Sequence, residues 1–68
     1  MKREELIEEA ICKCERMIRR GVEIDEVKFN LCSYAIGIER GNIITLDTMF
    51  LAMDMYLQVM KRSKKEKL

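Results

Sequence analysis

Two hexapeptides decide the fold: Arg20-Gly21-Val22-Glu23-Ile24-Asp25 and, 20 residues later, Arg40-Gly41-Asn42-Ile43-Ile44-Thr45. In each, a glycine follows a basic residue. Glycine adopts the left-handed conformation that ends many helices, and a basic side chain suits the negative end of the helix dipole. Each hexapeptide closes with an isoleucine followed by a good N-cap residue, Asp25 or Thr45. Both segments are therefore predicted to be tight corners between helices.

The corners divide the 68 residues into three helices. Apolar residues recur at helical spacing over about 3–20, 26–40 and 46–62, and these are the predicted helices. The chain has no proline and only three glycines, as expected of a small helical protein. The predicted fold is all-α: residues 1–62 form a single compact three-helix domain with short corners, and 63–68 form a basic, frayed C-terminal tail.

Helix 1 and helix 2 differ in how many apolar faces they carry. Helix 1 has a single apolar stripe, formed by Leu6, Ile7, Ala10, Ile11, Cys14, Met17 and Ile18. Helix 2 has one face of Val27, Leu31, Tyr34, Ala35 and Ile38, and an opposed face of Phe29, Cys32 and Ile36. A helix with two opposed apolar faces is predicted to have packing partners on both sides.

Helix 3 is apolar over most of its circumference. Its main stripe, predicted to face the core, consists of Leu46, Met49, Phe50, Met53, Tyr56, Leu57 and Met60. A second patch, predicted to face outward, consists of Leu51, Met55 and Val59. A three-helix monomer covers one broad face of each helix, so helices 2 and 3 have an apolar surplus.

The surplus predicts a homodimer, the commonest kind of oligomer. The predicted interface consists of Phe29, Cys32, Ile36, Leu51, Met55 and Val59. One alternative is that these residues receive a helix of another protein in a groove. The other is that helix 2 lies centrally and the surplus folds inward.

Catalysis is not expected. The chain has no histidine, which is the commonest general base and metal ligand. Cys12 and Cys14 point about 200° apart on a helix, so they are not expected to share a metal ion. Cys12, with Arg16 one turn later, is an incidental surface thiol or one whose pKa is slightly lowered. The protein is therefore predicted to be no enzyme and to hold no cofactor or metal.

Basic residues concentrate at the C-terminus, where residues 61–68 carry five basic and one acidic side chain. The possible nucleic-acid contacts are Lys61, Arg62, Lys64, Lys65 and Lys67. Such clusters neutralise phosphates, but they also occur as solubilising helix ends. Nucleic acid is therefore a weaker expectation than a protein partner.

The odd number of cysteines, three, and an opening without an apolar leader predict a cytoplasmic protein. Asp47 and Asp54 interrupt the apolar stretch 43–60, so no membrane span is expected there. The predicted function is a small intracellular protein–protein interaction module (a regulator, adaptor or inhibitor) that self-associates through helices 2 and 3. The alternative is a small nucleic-acid-associated regulator that uses the basic tail.

Overall fold

The structure, a computed structural model, describes residues 2–40 and 45–66, with side chains as far as Lys64. It contains α1 (Arg3–Arg19), α2 (Ile24–Glu39) and α3 (Leu46–Glu66), and each helix packs against the other two. The prediction of a compact all-α fold with three helices is confirmed. Helix α3 is longer than expected, because residues 63–66 continue it. Residues 67–68 of the predicted tail lie outside the described residues.

The first corner has the predicted geometry. Gly21 adopts φ +85°, in the left-handed region. Its N–H donates to the carbonyl of Ile18 at 3.0 Å, and the N–H of Val22 donates to the carbonyl of Met17 at 3.0 Å. These two bonds form a Schellman motif, which satisfies carbonyls that the helix end would leave without partners.

The second corner differs from the prediction in the residue that ends α2. Arg40, with φ 56°, is the left-handed residue that ends α2, and its N–H donates to the carbonyl of Gly37 at 3.2 Å. Gly41, for which this conformation was predicted, lies outside the described residues.

The two predicted N-caps have different outcomes. Thr45 caps α3 as predicted, because its Oγ1 accepts the N–H of Thr48 at 3.2 Å. Helix α2 begins one residue before Asp25, so Asp25 lies in the first turn and Glu23 stands at the cap without a side-chain capping bond. The acidic Asp25 still suits the positive end of the helix dipole.

The core forms where the three helices meet. Its buried apolar residues are Ala10, Ile11, Cys14, Val27, Leu31, Ala35, Leu51, Met55 and Val59. The predicted stripe of α1 and the predicted main face of α2 supply the first six. Both of those predictions are confirmed for every residue of the two faces except Leu6, which is half-buried and lines a groove between α1 and α2.

Helix α3 presents to the core the face that was predicted to point outward. Leu51 is 8% exposed, and Met55 and Val59 are fully buried. The prediction that these three residues face a partner is wrong. The buried face also contains Thr48 and Ala52, so it is lined by slimmer side chains than the face that carries Phe50. Slim side chains let α3 approach the other two helices closely enough to pack at protein density.

The two described glycines are expected to respond in opposite ways to replacement by alanine. A Cβ at Gly37, inside α2, would meet nothing within 4 Å. Gly37→Ala should therefore raise the free energy of unfolding by about 0.5–1 kcal/mol. Gly21→Ala should lower it by about 1 kcal/mol or more, because alanine is strained at positive φ. Urea unfolding followed by circular dichroism measures both changes, and loss of stability in Gly37→Ala would contradict the open space described here.

Candidate interaction surface

A line of large apolar side chains runs along the solvent side of α3. Its members, called here the outer stripe, are Leu46, Met49, Phe50, Met53 and Leu57, each between 49% and 68% exposed. Leu46, Phe50, Met53 and Leu57 are separated by steps of four, three and four residues, and Met49 lies three residues after Leu46, so all five share one face of the helix. That face lies opposite Met55, the most deeply placed residue of α3 in the core.

The outer stripe is large for a monomer surface. With about 200 Å² for a fully exposed large side chain, it offers roughly 600 Å² of apolar surface. The largest apolar patch on a typical monomer is about 300–600 Å² and is often functional. The stripe is therefore the strongest candidate for a binding surface among the described residues.

A groove between α2 and α3 borders the outer stripe. It has a volume of about 430 Å³ and is lined by Lys28, Leu31, Cys32, Ala52, Met53, Tyr56 and Leu57. Buried Leu31 belongs to the core, and Met53 and Leu57 belong to the stripe. The Nζ atom of Lys28 lies 5.4 Å from the centroid of the Tyr56 ring, a cation–π contact. The remaining lining is apolar, so the groove suits hydrocarbon side chains.

Helix α2 also has exposed apolar residues, of which Cys32 lines the groove. Phe29 is 71% exposed, and Cys32 is exposed at the groove. Ile36 is half-buried. Of the six residues predicted to form an interface, Phe29, Cys32 and Ile36 therefore lie on or near the surface.

The sequence prediction missed the outer stripe as a surface because it assigned those residues to the core. The spacing of the apolar residues is the one relevant signal, although it does not say whether the partner helix belongs to the same chain. Positions 46, 50, 53, 57 and 60 alternate in steps of four and three residues, which is typical of a helix that pairs with another helix.

A second groove, between α1 and α2, is smaller, and a charged side chain covers part of it. Its volume is about 300 Å³, and Lys13 lies over it. The Nζ atom of Lys13 is 3.0 Å from Oε1 of Glu9 and 5.8 Å from the centroid of the Tyr34 ring. This groove is therefore less suited to an apolar partner than the one beside the outer stripe.

Arg62 joins α3 to α1 through a bidentate ion pair. Its Nη1 donates to Oε2 of Glu8 at 2.6 Å, and its Nη2 donates to Oε1 at 2.9 Å. These hydrogen bonds lower the pKa of Glu8 to about 2. The pair fixes α3 lengthwise against α1, because a bidentate contact restricts both position and orientation.

Cys12 lies next to this ion pair. Its thiol donates to Oε2 of Glu8 at 3.4 Å, and this carboxylate raises the pKa of Cys12. The expectation of a slightly lowered pKa is wrong, because the nearest charged group is an acid. Cys12 is a weak nucleophile as a result.

The predicted nucleic-acid contacts that the structure describes differ in their surroundings. Arg62 is occupied by Glu8, whereas Lys61 and Lys64 are exposed to solvent. The side chain of Lys65 and the whole of Lys67 lie outside the described residues. Nucleic-acid binding stays a prediction, and it would depend on the lysines.

No helix in the described part of the chain is long and apolar enough to cross a membrane. Comparison of the chain with protein-family models, with curated proteins and with solved structures finds no match. The function is therefore argued from the surface itself.

The Glu8–Arg62 pair is expected to make stability depend on pH in the acid range. The pKa of Glu8 falls from 4.5 to about 2 on folding, so the pair stabilises the fold above about pH 4.5 and the stabilisation is lost as the pH falls toward 2. Glu8→Gln should lower the free energy of unfolding at pH 7 by less than about 1 kcal/mol, because both side chains are more than a third exposed and solvent screens the pair. The difference in the free energy of unfolding between this variant and the wild type should shrink as the pH falls below about 4.5 and should close only below about pH 2.

Urea unfolding at several pH values measures this difference in the free energy of unfolding. The matched control is Glu5→Gln, which removes an exposed carboxylate of the same helix. A difference for Glu8→Gln that stays constant from pH 7 to pH 2 would contradict the pairing.

Proposed function

We propose that this protein is a small protein–protein interaction module that self-associates through the outer stripe of α3 and the adjoining exposed residues of α2. The observation that carries the proposal is the outer stripe itself: five large apolar side chains in one line, about half exposed or more. Cys32 of α2 lines the adjoining groove, and Phe29 of α2 is exposed as well. A soluble monomer gains nothing from placing these side chains in water.

The area of the stripe supports a dimer. Two copies together offer about 1,200 Å², the lower end of the range for specific protein interfaces. Burying apolar surface is worth about 25 cal/mol per Å², and part of this gain offsets the loss of translational and rotational freedom on association. The groove beside Met53 and Leu57 adds a concave region that apolar side chains can fill.

The modest size of the core also supports self-association. Among the described residues, nine apolar residues are buried, and three of them are Ala10, Ala35 and Cys14. A chain of about 70 residues with such a core is only marginally stable alone, and a second subunit is a common remedy. In a two-fold dimer both copies use the same surface, so the outer stripe of each copy would contact that of the other.

The role that follows is binding and not catalysis. Dimerisation through α3 leaves the polar side of α1 in solvent, with its mixture of Glu, Lys and Arg. A dimer would present that side twice, on two copies. This arrangement suits a small regulator, adaptor or inhibitor that engages another protein through its helical surface.

Charged substitutions in the outer stripe are expected to dissociate the dimer without unfolding the chain. Phe50→Glu and Leu57→Glu each place a charge in the proposed interface, and each occurs twice in a two-fold dimer. Each should weaken association at least about a hundredfold. Helical content should persist, because both side chains are 63% exposed in the monomer. Sedimentation equilibrium with reductant present, together with circular dichroism, measures both properties.

Two controls separate association from folding. Phe50→Leu keeps the surface apolar and should still dimerise, whereas Met55→Glu places a charge in the core and should unfold the protein. A wild-type protein that stays monomeric at about 100 µM would overturn the proposal. So would Phe50→Glu and Leu57→Glu variants that associate as tightly as the wild type.

A further inference from the structure

The outer face of α3 has the residue spacing of a coiled-coil seam. Leu46, Phe50, Met53, Leu57 and Met60 are separated by alternating steps of four and three residues, which places them at the a and d positions of heptads. The first four are well exposed, and Met60 is half-buried. A helix with this pattern is suited to lie along another helix over three turns or more.

The two flanks of this seam differ in charge. The flank away from α2 has Asp47, Asp54 and Lys61, at intervals of seven residues, and all three side chains are exposed. The opposite flank, toward α2, has Met49 and Tyr56. The charged flank is therefore acidic at its N-terminal end and basic at its C-terminal end.

Asp47 and Lys61 have no ion-pair partner among the described residues. They lie 14 positions apart on one helix, or about 21 Å along its axis. They cannot pair within one chain, but a second copy that runs in the opposite direction would bring them together.

We infer that α3 pairs antiparallel with α3 of a second copy, with Asp47 against the partner's Lys61 and Lys61 against the partner's Asp47. This inference rests on the proposed self-association and specifies its geometry. In an antiparallel pair, equivalent flanks face each other, so the charged flanks meet. In a parallel pair, the charged flank would face the flank of Met49 and Tyr56 and gain no opposite charge.

The charges also select one register. In it, Phe50 packs against the partner's Met60 and Met53 against the partner's Leu57. The Asp47–Lys61 contacts form twice, and Asp54 meets its own copy once. A shift by one heptad, with Phe50 against the partner's Met53 and Leu46 against the partner's Leu57, would keep the same number of apolar contacts but would place Asp47 against the partner's Asp54 twice. Attraction at both ends therefore favours the first register.

The groove is consistent with this register. Met53 and Leu57 form its α3 side, next to Cys32 of α2. Pairing Met53 with the partner's Leu57 brings the partner's apolar side chains to the mouth of the groove. Each copy would thereby cover the apolar groove of the other.

Charge reversal tests the orientation. Asp47→Lys alone, or Lys61→Asp alone, places like charges at both ends of the seam and should weaken homodimerisation about tenfold. A mixture of the two single variants should form heterodimers with nearly wild-type affinity, because each contact again joins opposite charges. The double variant Asp47→Lys/Lys61→Asp should dimerise as the wild type does. Sedimentation equilibrium of the single variants, the mixture and the double variant gives the dissociation constants.

Glu4→Lys is the matched control, because it reverses an exposed acid in the first turn of α1 and costs a similar helix-dipole contribution. It should leave dimerisation unchanged. If the wild type dimerises but the mixture binds no tighter than the single variants, the antiparallel pairing is overturned and self-association stands. If the wild type is monomeric, both the pairing and the proposed self-association are overturned.

Discussion

The burial of Met55 and Val59 between α1 and α2 is the constraint on which the remaining architecture depends. Both residues are fully buried, and they lie one turn apart on α3. Once this face is buried, helical geometry fixes the direction of every other side chain of α3. The opposite face, with Phe50 and Leu57, is then left in solvent. The burial of one face of α3 therefore determines both which of its residues enter the core and which form the candidate surface.

Two other contacts hold α3 in position, one near each of its ends. At the N-terminus of α3, Thr45 caps the helix and its hydroxyl lies 3.0 Å from that of Thr48, which is buried. Near the C-terminus of α3, Arg62 forms an ion pair with Glu8 of α1. The hydroxyl contact sets where α3 begins, and the ion pair sets its alignment with α1. Each is worth little alone, but together they act on both ends of the helix that carries the candidate surface.

Much of the fold could be predicted from the sequence, because local signals determine it. The glycine at Gly21 and the threonine at Thr45 mark helix ends through backbone conformation and capping, which depend on few neighbours. The stripe of α1 could be assigned because the rest of that helix is charged. Helix α3 lacks this contrast, and hydrophobicity does not distinguish its two apolar faces. Side-chain size and the space between α1 and α2 decide between them, and neither is visible in a pattern of apolar positions.

The environment of Cys12 could not be predicted for a related reason. The sequence places Arg16 nearby, but the groups that control the thiol are Glu8 on the same helix and Arg62 on α3. A contact between residues 50 positions apart depends on the packing of α1 against α3. For the candidate surface, the residues were visible in the sequence and only their direction was missing.

The proposed self-association would be linked to folding, because α3 would serve both. A partner that binds only the folded chain stabilises it by mass action, by about 2.7 kcal/mol when its free concentration is 100 times the dissociation constant. For a core with as few large side chains as this one, such a contribution is a substantial part of the total stability. The apolar outer stripe would then have a structural role as well as a binding role. Its side chains stay exposed in the monomer because the core accepts one face of α3, and their burial in a dimer would stabilise the same helix from the other side.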